Sequence, residues 1–277
     1  MNNGIEVAKK ALLEALGDEN IDLECVAALA DQLVQLDPNA MRFAVDARHI
    51  HRLGFELVGK QETALSELIK NAYDADATKV TIDFSNYGAP GGRLVVADDG
   101  HGMTEQVIRD TWMRLSTADK EDNPVSPGFC RSRAGRKGIG RFAVERLGTQ
   151  LVLETRVAGA MEGTRVSFDW DAAYTHGTAL TRIPNRIDRF AKSIEESGTT
   201  LIIEDLRDRW TVKQLERVWK SVLLLQPPFK VARKHRGKSD ESGCMPDPGF
   251  SVVINGQTGE QQSDELSLDI RQPFPCA

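Results

Sequence analysis

The stretch from Glu67 to Ala77 gathers a carboxylate, a carboxamide and a second carboxylate within the reach of one helix. Glu67 and Asn71 are four residues apart and Asn71 and Asp74 three apart, so their side chains stack on one helical face. Leu68, Ile69 and Ala72 turn away from that face, toward a core. Oxygen donors grouped in this way suit a hard cation such as Mg²⁺, which keeps several waters and is commonly shared with phosphates. A neighbouring carboxylate that does not bind the metal is a natural general base. Taken alone, the same pattern also fits an amphipathic helix with a charged outer face.

Two later stretches add to it. Asp98-Asp99-Gly100-His101-Gly102-Met103 follows the apolar run Leu94 to Ala97, which reads as a strand closing in a tight turn. Glycines there let the backbone approach a ligand, and Asp98 stands where a strand end presents a carboxylate. Further on, Gly135-Arg136-Lys137-Gly138-Ile139-Gly140-Arg141 runs into a helical pattern from Phe142 to Leu147. A glycine-rich loop entering a helix offers unpaired N–H groups and a favourable dipole to phosphate. It is neither a Walker A loop nor a dinucleotide fingerprint, and by itself it is a weak signal.

In this order and spacing the three stretches resemble the GHKL ATPase superfamily, which includes the gyrase B subunit, ninety-kilodalton heat-shock chaperones, sensor histidine kinases and MutL. The wording sits nearest the MutL, MORC and chaperone-like branch, and the resemblance covers about residues 45 to 225. It implies an ATP site with Mg²⁺. In that site Glu67 would be the base orienting the attacking water, Asn71 the Mg²⁺ ligand, and Asp74 a residue shaping the pocket. Asp98 would accept a hydrogen bond from the adenine amino group, with Gly100 and Gly102 admitting the nucleotide and Met103 lining the base pocket. Gly135, Gly138 and Gly140, with Ile139 between them, would form the phosphate-binding lid loop, and Lys137 and Arg141 would be available to its oxygens. Thr117 and Lys120 fall in a Ser/Thr-rich piece similar to the lid opening of MutL-like relatives. Thr199, in Gly198-Thr199-Thr200-Leu201-Ile202, matches the Thr that supports adenine together with a water. The implied fold is α+β, a two-layer α/β sandwich of the Bergerat type. Its mixed, mostly antiparallel sheet would have helices on one face.

The elements that must position these residues are legible from pattern. Residues 4 to 36 carry apolar side chains at helical spacing, broken near Gly17-Asp18-Glu19-Asn20. Helices are expected at about 46–58, around Glu67, at 104–115 and at 211–225. Strands are expected near 78–84, 93–98, 149–156, 163–169 and 198–204. Residues 116–137 are polar and aperiodic, as a functional lid would be. The reading divides the chain into a helical extension (1–40), an ATPase domain (41–226) and a Gly-, Pro- and Ser-rich C-terminal part (227–277). That last part is too short for the second domain of gyrase- or MutL-like proteins, so an N-terminal fragment of a larger protein is expected.

Composition sets outer bounds. At 40% hydrophobic and 27% charged, the 277 residues describe an ordinary globular chain, and no long apolar run suggests membrane insertion. A net charge of -6 argues against general coating of nucleic acid, although the basic cluster 230–238 could make a local contact or be a solvated loop. Cys25, Cys130, Cys244 and Cys276 lie far apart and read as free thiols in a reducing compartment, cytoplasmic or nuclear. Arg131, Arg133 and Arg136 fit either phosphate contacts or a solvated lid. The expected activity is slow Mg-ATP hydrolysis driving lid closure and homodimerisation of a switch or clamp, with DNA or a protein as client. A regulatory ATP-binding module with little turnover is the alternative. A histidine kinase fits less well, because such kinases usually lack an acid at the Glu67 position.

Overall fold

A computed structural model describes residues 2–39, 41–115, 123–134, 142–223, 244–257 and 268–269. The chain divides into two compact units, one of residues 1–49 with 173–184 and one of the remainder. In the first unit, α1 (Asn2–Leu16) and α2 (Leu23–Gln35) pack on each other. Asp22 caps α2 by accepting the N–H groups of Glu24 and Cys25 (3.0 and 3.1 Å), which satisfies donors the helix cannot. Asp46 bridges Ala179, and Arg182 pairs with Asp31 at 2.9 Å.

The second unit is built on one mixed sheet. Its strands are β1 (Lys79–Ser85), β2 (Arg93–Asp98), β3 (Gly148–Arg156), β4 (Glu162–Asp169), β5 (Arg186–Ala191), β6 (Gly198–Leu206), β7 (Ser251–Gln257) and β8 (Leu268–Asp269). They lie in the order β5-β4-β3-β6-β2-β1-β7-β8, and among the described strands only the β1–β7 pairing is parallel. The register writes the core: Ile82, Val96, Leu201, Leu153 and Val166 form one row across the sheet. Phe84, Leu94, Ile203, Leu151 and Phe168 form the next, and most of both rows are buried. The alternate residues, such as Thr81, Val95 and Ile202, are half-buried, as the period of two requires. This is the two-layer α+β arrangement expected.

Against the buried rows lies α4 (Gln61–Asp74), reached through the short helix α3 (His49–Arg52) and a π-helical turn Leu53–Val58. Ala64, Leu65, Leu68, Ile69 and Ala72 are all buried, the spacing that keeps a helix on its sheet. α4 packs against α6 (Ala143–Leu147) and α8 (Val212–Leu223), while α5 (Glu105–Val107) runs into a π-helical turn Ile108–Trp112. After Asp74 the helix stops because Asp76 turns left-handed at φ 60°. α7 (Trp170–Ala173) follows β4, and Trp170 stacks on Phe168 at 5.0 Å.

Residues 123–134 are pinned rather than loosely solvated. Asp76 accepts from Ser126 Oγ (2.5 Å) and from the N–H groups of Gly128 (2.7 Å) and Phe129 (3.1 Å). Arg131 is buried, contrary to both readings of it. Its guanidinium donates to both Asp247 oxygens (2.9 and 2.6 Å) and to the carbonyls of Ala77 (2.5 Å) and Gly249 (2.9 Å). It also lies 4.7 Å from the Tyr73 ring centre. Such a fully engaged fork holds the segment to the sheet and holds the Asp247 carboxyl below its ordinary range. The free-thiol expectation is also corrected: Cys130 and Cys244 are disulfide-bonded with Cα atoms 5.8 Å apart, and Cys25 is free and exposed. A separation of 114 residues hides that proximity from any spacing rule. Cys276, Arg136 and the basic cluster 230–238 lie outside the described residues.

Candidate active site

The acid face of α4 forms as its spacing requires. Glu67 is largely buried and accepts from Lys70 Nζ at 2.7 Å. Asn71 is half-buried one turn further on. Asp74 is buried and accepts the Ala134 N–H at 2.7 Å, so it ties the pinned segment to the helix end.

Beside that helix end sits the turn after β2. Leu94, Val96 and Asp98 alternate on the core side of the strand, so Asp98 is the carboxylate with which a buried row ends. Its Oδ1 accepts the N–H groups of Gly100 (3.0 Å) and Thr199 (3.2 Å). Among the described residues none donates to Oδ2. Burial pushes this carboxyl up to about 6, against the two backbone hydrogen bonds that favour its charge. Asp99 contrasts with it in the next position. It is exposed and accepts the N–H groups of Thr78 (2.7 Å) and Lys79 (2.8 Å) and the Thr78 hydroxyl (2.5 Å), which fixes the turn.

The backbone at this turn packs as closely as it does only because of glycine. A Cβ on Gly100 would press on the Ala75 carbonyl, and one on Gly102 (φ 68°) would collide with the Arg156 carbonyl. Gly198, at φ 117°, packs equally tightly on the Asp98 carbonyl. His101 donates its N–H to Ala75 at 3.0 Å, which docks the turn on the end of α4.

The structure therefore brings Asp98, Gly100, Gly102, Met103 and Thr199 together and sets them against the C-terminal end of the helix bearing Glu67, Asn71 and Asp74. Thr117, Lys120, Gly135, Lys137, Gly138, Ile139, Gly140 and Arg141 lie outside the described residues. Sequence reasoning missed Thr155. Its hydroxyl accepts the Met103 N–H at 2.7 Å and lies 3.4 Å from Thr199 Oγ1, joining β3, β6 and the turn. A polar residue continuing the buried series Leu151, Leu153 was the available signal. Lys70 was missed too, although it sits inside the acid motif.

A family described as "Histidine kinase-, DNA gyrase B-, and HSP90-like ATPase" matches residues 59–199. The chain belongs to this ATPase family. Within it, similarity runs to the MutL branch. MutL, a DNA mismatch repair protein of Xylella fastidiosa, is 35% identical over 201 residues, covering 66% of this chain and 28% of that protein. A candidate type II restriction enzyme of Herpetosiphon aurantiacus, HgiDII, is 29% identical over 144 residues, covering 51% of this chain and 22% of that one. A crystal structure of the N-terminal domain of a DNA repair protein matches with a TM-score of 0.44 at 16% identity, covering 79% of this chain and 55% of that one. The chain thus spans less than a third of the length of these two curated relatives. No described helix of this ATPase-family chain is long and apolar enough to cross a membrane.

Proposed function

We propose that this chain binds ATP with Mg²⁺ and hydrolyses it slowly, as the nucleotide-dependent switch of a dimerising clamp. The observation that carries the reading is Asp98: one oxygen is held by backbone N–H groups, the other has no donor among the described residues, and the turn beside it packs so closely that only glycine fits. A carboxylate presented in this way selects an exocyclic amine. Guanine would set a carbonyl against it and leave buried groups unpaired, which costs orders of magnitude in affinity. Thr199 and Thr155 fix the floor on which the base would rest.

The acid face of α4 supplies the chemistry. Mg²⁺, when bound, would supply charge neutralisation at the phosphates. The Asn71 side-chain oxygen would hold it, and Asp74 keeps the helix end docked. Glu67 orients a water and takes its proton as the water oxygen bonds to the γ-phosphorus. The bond to the bridging oxygen breaks, and ADP leaves with that electron pair. Homodimerisation, lid closure and service to a DNA-repair-type or other DNA or protein client fit the MutL-like relatives.

A second reading, ATP binding with little turnover, is favoured by one contact: Lys70 already occupies a Glu67 oxygen at 2.7 Å. Phosphate release from Mg-ATP, measured across protein concentrations for wild type and Glu67→Ala, tests the pair. Turnover that rises more than linearly with protein and disappears in the variant supports the switch. A variant-insensitive background excludes hydrolysis at this site.

A further inference from the structure

A cleft of about 580 Å³ opens at the start of α4, remote in the helix from Asp74. Its walls are the 59–62 turn, Arg146 from α6, and residues 208–217, which run from the loop before α8 into its first turns. Five cations line it, Lys60, Arg146, Arg209, Lys213 and Arg217, against two carboxylates. Both carboxylates are taken. Asp208 receives Arg146 at 2.6 Å, and Glu62 receives Arg217 at 2.9 Å. Among the described residues, no carboxylate pairs with Lys60, Arg209 or Lys213. In a chain of net charge -6, three cations without a carboxylate partner among the described residues line one concavity and give it a local positive potential.

The walls are built rather than incidental. Buried Gln61 donates Nε2 to the Arg209 carbonyl at 2.9 Å, locking the loop before α8 to the start of α4. Arg146 Nε donates to the Gly59 carbonyl at 3.0 Å, and Gly59 turns left-handed at φ 67°, which steers the chain around the rim. Lys60 stands at the N-cap of α4 and provides no side-chain cap, so the first-turn N–H groups add to the positive field. The volume falls within the range of small-ligand sites, and mixed Lys and Arg donors are the residues that recognise phosphate.

We infer that this cleft is a second anion site, binding a phosphate-bearing ligand, separate from the nucleotide site at the other end of α4 and independent of it. The shared chemistry is the phosphate group, either of a small free anion or of a nucleic-acid strand.

The test uses the full chain and two probes, inorganic pyrophosphate and a short single-stranded oligonucleotide, titrated by calorimetry at low and moderate salt. The wild type is compared with a variant carrying Arg209→Ala and Lys213→Ala, and with Lys213→Arg as a charge-keeping control. Each charge removed is expected to weaken binding about tenfold, as loss of a charge-assisted hydrogen bond does. Lys213→Arg is expected to retain binding, and an unchanged melting temperature keeps misfolding out of the comparison. Pyrophosphate binding lost in the double variant supports the site with a free anion as ligand. Oligonucleotide binding alone, lost in the double variant and falling steeply with salt, supports it with a strand as ligand. No binding of either probe, or binding the variant leaves unchanged, overturns the inference.

Discussion

Toward its C-terminus α4 presents Glu67, Asn71 and Asp74, whereas its N-terminus opens on Lys60, Arg209 and Lys213. A helix dipole favours the opposite distribution, with acids early and cations late, by roughly 0.3–1 kcal/mol per charge. Glu62, paired with Arg217 in the first turn, follows that preference, and the two proposed clusters do not. Side chains set against their local field are better satisfied when a ligand of opposite charge arrives: a cation at the acid end, an anion at the basic end. On this view the helix joins two proposed sites of opposite sign.

The comparison breaks most visibly at Glu67. Glu67→Ala is expected to lower turnover about 10³-fold, the usual worth of a general base, while ATP affinity and pyrophosphate binding at the basic end stay unchanged. Calorimetry beside phosphate release decides this, and lost Mg-ATP binding would make Glu67 a ligand or a structural residue.

Asp98→Asn replaces an acceptor with a group that can also donate, and ATP affinity is expected to fall about a hundredfold by calorimetry, again without effect at the basic end. The same variant is expected to melt higher at pH 7. The native carboxyl, raised to about 6, holds its proton more tightly folded than unfolded, so its ionisation costs stability as pH rises from its ordinary value through 6. A lower melting temperature for the variant would show that the carboxylate is structurally required.

The acid end has a pH dependence of its own. With the ionised form of Asp98 as the proposed acceptor of the adenine amine, ATP affinity is expected to be flat above pH 7. It should weaken by about tenfold per unit well below 6, as fractional ionisation dictates. Constant affinity down to pH 5 would remove Asp98 from base recognition. The smallest effect belongs to Lys70. Breaking an ion pair worth up to about 1 kcal/mol by Lys70→Met is expected to raise turnover about fivefold by freeing Glu67. Slower turnover would mean that Lys70 orients the base instead.

What the sequence disclosed was periodic or compact. The acid face needed only helical spacing, and the strand before Asp98 needed only its apolar run and closing glycines. The strands expected near 78–84, 93–98, 149–156, 163–169 and 198–204 lie within about two residues of β1, β2, β3, β4 and β6. β5 escaped because Arg186-Ile187-Asp188-Arg189-Phe190-Ala191 is half-exposed and weakly alternating, and β7 because it follows a Gly- and Pro-containing stretch. The helix expected at 46–58 is in fact a short helix and a π-helical turn, a change of hydrogen-bond period that apolar spacing does not report. Arg131 and the Cys130–Cys244 bridge join distant segments, so their surroundings are set by tertiary structure alone. Asp76 and Asp99 read as generic turn acids until their hydrogen-bond partners are seen.

The parallel pairing of β1 with β7 also sets a timetable. Asp83 and its β7 partner Asn255 are separated by 172 residues, so at about 5–20 residues per second the ribosome leaves β1 unpaired on that side for on the order of 10–30 s. During that interval Lys79 and Asp83 are the charges standing on a strand whose edge is open, and charge on an open edge discourages pairing with another nascent chain.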